Sequence, residues 1–141
     1  MKDELFQRIQ DSFARQGFMN TLKARLANVT EGQVSIAASI SEFVSQQHGF
    51  AHAGIAFSIG DSAAGYSALT LFDPEVEVVT AEMKVNLVSP AKGQSLLAVG
   101  KVIKPGRRLC VVTADVFAID KGEQKLIAVM QGTMVPVGYR G

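Results

Sequence analysis

Gly54-Ile55-Ala56-Phe57-Ser58-Ile59-Gly60-Asp61-Ser62-Ala63-Ala64-Gly65-Tyr66-Ser67-Ala68-Leu69 is the stretch on which the fold turns. It holds no proline, is too long for one strand, and is apolar or small nearly throughout, so it reads as a buried helix. Gly60 and Gly65 each cost such a helix roughly 0.8–1 kcal/mol relative to alanine. Their presence predicts neighbours packed too closely to admit a side chain, and a sheet wrapped around the helix would supply them.

The segments on either side supply that sheet. Upstream, Leu5, Phe6, Ile9 and Phe13 recur at helical spacing, which predicts an amphipathic helix over residues 3–16 ended by Gly17. Two β-like runs follow, Leu22–Val29 and Gln33–Ile40, joined at Thr30-Glu31-Gly32, where the glycine can take the positive φ of a hairpin turn. Downstream of Phe72-Asp73-Pro74 come four strand candidates, 76–89, 94–104, 107–120 and 124–136. Their separators are Pro90-Ala91-Lys92-Gly93, Pro105-Gly106 and Lys121-Gly122-Glu123, each short enough for a hairpin, so an antiparallel meander is expected. Cys110, Val112, Ala114, Val116 and Ala118 share one face of the third strand, and Ala128, Met130, Gly132 and Met134 one face of the fourth. These small-residue faces, set against a small-residue helix, predict a curved antiparallel sheet around one central helix. The opposite faces, with Leu97, Val99, Ile103, Leu109, Val111 and Phe117, are too apolar for plain solvent and call for self-association.

Composition narrows the function. A chain of 141 residues suits one domain spanning 1–141, with an N-terminal helix over 1–19 and a core over 20–137. Fourteen Lys+Arg against thirteen Asp+Glu leave a net charge of +1, which argues against a nucleic-acid partner. One cysteine, Cys110, and two histidines offer neither a disulfide nor a thiolate metal site, and Cys110 between Leu109 and Val111 reads as core. Met1-Lys2-Asp3-Glu4-Leu5-Phe6 carries acids where a signal peptide wants a basic start. The acid at Asp61, the early Pro74 and the want of close Lys or Arg anchors argue against a membrane span between Gly49 and Phe72. A cytoplasmic, metal-free and cofactor-free protein is the expectation.

Asp61 is the single charged residue between Ala53 and Phe72. A carboxylate inside a close-packed helix is either a hydrogen-bonded structural acid or a base or nucleophile tuned by partial burial. Just upstream, the polar run Ser45–Gly54 leads into the helix, whose free N–H groups can polarise an acyl oxygen. Ala53 and Asp61 stand eight positions apart, about 12 Å along a helix axis at 1.5 Å per residue. One helix therefore cannot bring both to one carbonyl, whereas two antiparallel helices about a dimer axis could.

The residues Gln46-x-x-Gly49-x-x-His52-Ala53-Gly54-x-x-Phe57-x-x-x-Asp61 resemble the Asn-x-x-Gly-x-x-His-Gly-Gly…Asp signature of hotdog-fold acyl-CoA thioesterases, and within them the phenylacetate-degradation type. Similarity continues through Thr80-x-Glu82-Met83-Lys84-Val85-Asn86-Leu87-x-Ser89-Pro90-x-x-Gly93, Gly106-Arg107-Arg108 and Ala128-x-x-x-Gly132-Thr133, covering roughly residues 20–137. It implies an α+β hotdog fold, self-association as a homodimer or homotetramer, and hydrolysis of an acyl-CoA thioester with no cofactor beyond the coenzyme A of the substrate.

Residue by residue, the resemblance makes Asp61 the nucleophile or the general base. The backbone N–H groups of Ala53 and Gly54 become the polarisers of the carbonyl, and Gln46 stands where the family orients water or thioester with an Asn. His52 becomes a brace of the loop, Thr80 a positioner of water beside Asp61, and Arg107 and Arg108 contacts for the coenzyme A phosphates. Phe18, Met19 and Leu22 are open between core and acyl pocket. Ala53 for Gly and Gln46 for Asn depart from the pattern, so a non-catalytic acyl-CoA binder, a sensor or carrier, stands as the second reading.

Overall fold

The computed structural model describes residues 2–138. Its elements are α1 (Lys2–Ala14), α2 (Gly17–Thr21), β1 (Arg25–Thr30), β2 (Gln33–Ser39), α3 (Ala53–Leu69), β3 (Val76–Leu87), β4 (Ser95–Lys104), β5 (Cys110–Asp120) and β6 (Glu123–Gly138). The six strands form one antiparallel sheet in the order β1-β2-β4-β5-β6-β3. Helix α3 lies in its curve against β2, β3, β4, β5 and β6, which is the hotdog fold. The ends of the expected domain span, residue 1 and residues 139–141, lie outside the described residues.

Alternation places the core where period two predicts it. Cys110, Val112, Ala114, Val116 and Ala118 are buried on β5, and Ala128, Met130 and Met134 on β6, all facing the helix. Burial pushes the Cys110 thiol up, in keeping with a packing residue. The close approach exists, though not everywhere expected. A Cβ on Gly100 of β4 would collide with the Ala63 backbone of α3, and one on Gly60 with the Met130 side chain. Gly65, in contrast, would make only ordinary contact with Met134, 3.8 Å away, so packing does not require a glycine there. Gly32 turns the first hairpin with φ 77, as that short connection demands.

Three sequence expectations are corrected. The N-terminal helix stops at Ala14, and Gly17 opens a second short helix instead of ending the first, so β1 begins at Arg25 and not at Leu22. The strand expected over 107–120 begins at Cys110, so Arg107 and Arg108 stay in the turn after Pro105-Gly106, ahead of β5. The larger correction is topological: β3 does not form a hairpin with β4 but pairs with β6 at the far edge, while β4 sits between β2 and β5. A short link permits a hairpin without requiring one. Residues 88–94 satisfy their backbone by crossing the end of the sheet: Val88 N–H donates to Ile127 O at 2.9 Å, Ala91 O accepts from Ala51 N–H at 2.9 Å, and Gln94 N–H donates to Ile119 O at 2.9 Å. Pro90 has no N–H to place. The crossing strap passes the N-terminal end of α3 and forms one wall of the site described below.

Arg8 locks the other end of α3. Its Nη1 donates to Leu69 O (3.2 Å) and Phe72 O (2.9 Å), and its Nη2 to Asp73 O (2.9 Å) and Val76 O (3.1 Å). A cation there adds a second donor to the last helical carbonyl, Leu69 O, which also accepts from Phe72 N–H, and opposes the negative end of the helix dipole. Arg8→Ala is expected to destabilise the protein by about 2–3 kcal/mol, the scale of charge-assisted hydrogen bonds, read from denaturant melts at fixed protein concentration.

Candidate active site

The N-terminus of α3 is built by its approach loop. Gln46 N–H donates to Phe50 O at 2.8 Å, and its side-chain oxygen accepts from His48 N–H at 2.5 Å and Phe50 N–H at 3.3 Å, so the amide closes its own loop. His52 N–H donates to Val44 O at 2.8 Å, which ties the loop to the segment before it. The His52 Nδ1 then accepts from Gly54 N–H at 2.8 Å, capping the helix in the manner of an Asn or Ser. Gly54 N–H, the second carbonyl donor that the resemblance implies, is thus bonded to the cap in this structure. Among the described residues Ala53 N–H has no hydrogen-bond acceptor. It stands at the positive end of a 17-residue helix.

Ala53 lines a cavity of about 680 Å³. Its walls are mostly apolar, with Phe50, Ala56, Leu87, Val88 and Ile127, and among the described residues no Asp, Glu, Lys or Arg lines it. A bulge shapes one wall: β5 residues Val116 and Phe117 face Ala128 and Leu126 of β6, leaving Ile127 as the extra residue turned inward. Gln46 and His52 also line this space, whereas Phe18, Met19 and Leu22 do not. Met19 is core and Phe18 is exposed.

Asp61 faces a second, smaller cavity of about 260 Å³, shared with Thr80, Ser12, Gln16 and Tyr66. Thr80 Oγ1 donates to Asp61 Oδ1 at 2.8 Å. A second bulge aims that hydroxyl: Thr80 pairs with Met134 and Glu82 with Thr133, leaving Ala81 as the extra residue, so the helix-facing side of β3 changes from Val76, Val78 and Thr80 to Met83 and Val85. Burial raises the Asp61 carboxyl above its ordinary value of 3.8, and the Thr80 hydrogen bond opposes that rise. Thr80→Val is therefore expected to move the acid limb of a pH–rate profile further upward, because it removes the interaction that favours the charged form.

The structure thus brings Asp61 to Thr80, and Gln46 and His52 to Ala53, but puts the two groups in separate cavities. Arg107 and Arg108 are exposed and line neither. Ser12, Gln16 and Tyr66 were not legible as neighbours of Asp61. Tyr66 Oη accepts from Gln16 Nε2 at 2.8 Å and shares a 3.0 Å hydrogen bond with Ser12 Oγ, contacts made across 50 and 54 positions of chain. No sequence signal marked them: Gln16 stands between α1 and α2, outside both, and nothing local ties it or Ser12 to Tyr66.

Comparison with known proteins fits this construction. The sequence model of the thioesterase superfamily matches residues 48–125, from the approach loop to the start of β6. The crystal structure of a thioesterase family protein from Silicibacter pomeroyi is similar over 96% of this chain and 99% of its own, with 41% identity and a TM-score of 0.93. A protein of Saccharolobus solfataricus carrying a provisional esterase name is 30% identical over 127 residues, 90% of this chain and 82% of its own. The PaaI protein of the phenylacetic acid degradation operon of E. coli shares the fold, with a TM-score of 0.85 at 18% identity over 96% of this chain and 95% of that one. With its sheet, its central helix and more than half its length matched, the chain belongs to the thioesterase superfamily.

Proposed function

We propose that this member of the thioesterase superfamily hydrolyses acyl-CoA thioesters, of the phenylacetate-degradation type, at sites shared between two copies of the chain. The observation that carries this reading is one helix with an unpaired N–H at its positive end, facing an apolar cavity, and a carboxyl of raised pKa two turns further on. The thioester carbonyl oxygen sits at Ala53 N–H of one copy, where developing negative charge is stabilised. Asp61 of the other copy attacks the carbonyl carbon, or takes a proton from a water that does. The carbon–sulfur bond breaks, coenzyme A leaves as thiolate and is protonated, and the acyl group departs as a carboxylate, in the first route after water has cleaved the acyl–aspartyl anhydride. No step needs a metal or redox group.

The sheet supports the pairing. β3 is a long edge strand whose outer side is unpaired among the described residues, and Val79, Leu87 and Val88 at that edge are 42%, 56% and 52% exposed. Edges of that kind invite a second strand. Antiparallel addition of a second β3 about a two-fold axis extends the sheet and sets the two α3 helices antiparallel, carrying Asp61 of each toward Ala53 of the other. The apolar outer residues Ile103 and Leu109 offer a further surface for pairing dimers into a tetramer.

The test follows thioester absorbance directly in the ultraviolet over a panel of aryl and aliphatic acyl-CoAs, with the oligomeric state read by light scattering. Turnover by a dimer or tetramer is the expected result. An active monomer would overturn the shared site, and saturable acyl-CoA binding without turnover would favour the sensor or carrier reading.

A further inference from the structure

Helix α3 carries a glycine that its packing does not call for. A Cβ on Gly65 would meet nothing nearer than the Met134 side chain, 3.8 Å away, although glycine weakens a helix relative to alanine. Gly65 stands one turn beyond Asp61 on the same face, and both line the cavity of about 260 Å³, as does Met134. What the glycine keeps clear is therefore the space beside the carboxyl. Polar groups surround that space: Thr80 from β3, Ser12 from α1, Gln16 from the turn after it, and Tyr66. Tyr66 is buried, and its Oη accepts from Gln16 Nε2 at 2.8 Å and lies 3.0 Å from Ser12 Oγ. The two hydroxyls hold two protons, and the bond between them uses one. Among the described residues the second proton has no acceptor, and Asp61 Oδ2 has no donor, since the Thr80 bond falls on Oδ1.

We infer that the Tyr66 hydroxyl, oriented by Gln16 and Ser12, is a positioning group that holds the hydrolytic water against Asp61, in space that Gly65 keeps open. The inference rests on the thioesterase reading and adds to it residues of α1, of the turn after it and of the far half of α3. A water there accepts the spare hydroxyl proton and donates to Asp61 Oδ2, which leaves its second lone pair free to attack. The cavity has room for it, since a water occupies about 30 Å³ of liquid, and the polar wall supplies the two to four partners that an ordered water needs. In the base route the water gives its proton to Asp61 and its oxygen to the carbonyl carbon, while coenzyme A leaves as thiolate. Tyr66 keeps its own proton throughout.

The experiment compares wild type, Gly65→Ala and Tyr66→Phe by acyl-CoA turnover, by melting temperature and by high-resolution crystallography. Gly65→Ala puts a methyl group where the water stands and improves the helix. It is expected to lower kcat at least about tenfold with KM little changed, while the melting temperature rises by about 2–4 °C. A glycine required by packing would lose stability on the same substitution. Tyr66→Phe keeps the ring, 6.2 Å between centroids from Phe13, and removes the hydroxyl. It too should lower kcat at least about tenfold at little change in KM. Wild-type kcat in either variant would overturn the proposal, as would a Gly65→Ala protein that loses turnover and stability together. The wild-type crystal should show an ordered water within hydrogen-bond distance of Asp61 Oδ2 and of Tyr66 Oη or Ser12 Oγ, and the Gly65→Ala crystal should lack it. If wild type hydrolyses no thioester, the functional reading fails separately, and the crystals still decide the site: no such water in wild type, or the same water in Gly65→Ala, overturns it.

Discussion

Asp61→Asn is expected to lower kcat by at least about 100-fold, the low end for removal of an acid–base group, while raising the melting temperature at neutral pH. The two effects share one cause. Asp61 is partly buried among helix and sheet, and its carboxyl lies above the ordinary 3.8 because burial disfavours the charged form. A carboxyl whose folded pKa is raised contributes most stability below its unfolded value and loses it as pH rises through the folded one. At neutral pH the ionised group is thus a net cost to folding. Asparagine removes that cost and keeps an oxygen to accept the Thr80 hydrogen bond, seen at 2.8 Å in the parent. Activity runs the opposite way: a base or nucleophile needs the carboxylate, so wild-type turnover should fall with acid from a pH above the ordinary carboxylate range. Thioester assays across pH, paired with melts of both proteins, check each half. A variant that loses activity and stability together would mark Asp61 as a structural acid.

Ala53→Pro is expected to lower kcat by about 10²–10³-fold, the measured scale for loss of one oxyanion donor, with little change in fold. Proline removes the N–H and nothing else that this position uses. Ala53 is the first residue of α3, where proline's fixed φ is tolerated. The preceding residue, His52, already has φ −64 and ψ 143, the extended conformation that a following proline requires. The cap from Gly54 N–H to His52 Nδ1 is untouched by the change. Ala53→Gly, which retains the N–H, should turn over far faster than Ala53→Pro. Equal turnover by these two variants would show that the oxyanion is held elsewhere. Circular dichroism and the melting temperature report whether α3 has survived.

The route from residues to site was legible in parts that have a local cause. Asp61 stood out because a charge inside an apolar helix needs a reason, and the helix stood out by length and composition. Glycine-marked turns and period-two faces located β2, β4, β5 and β6 within a few residues. His52 caps α3 by accepting from Gly54 N–H, a contact between residues two positions apart. Arg8 was not legible at all. Its four carbonyl partners, at Leu69, Phe72, Asp73 and Val76, lie more than 60 positions away, and nothing in an arginine on a helix's polar side announces them.

The sequence by itself determined the helix, the strands, the small-residue faces that let them approach, and the isolation of one carboxylate, since each follows from period, volume or charge read locally. Tertiary structure alone decided that β3 leaves β4 for the far edge beside β6, because the strap over residues 88–94 finds backbone partners in β5, β6 and the loop before α3 rather than in a hairpin. That crossing closes one wall of the cavity at Ala53 and leaves the outer edge of β3 unpaired among the described residues. Two bulges, at Ala81 and Ile127, then turn single side chains toward the site. Strand pairing and register are settled by competition among distant partners for the same hydrogen bonds, and that competition has no local signature.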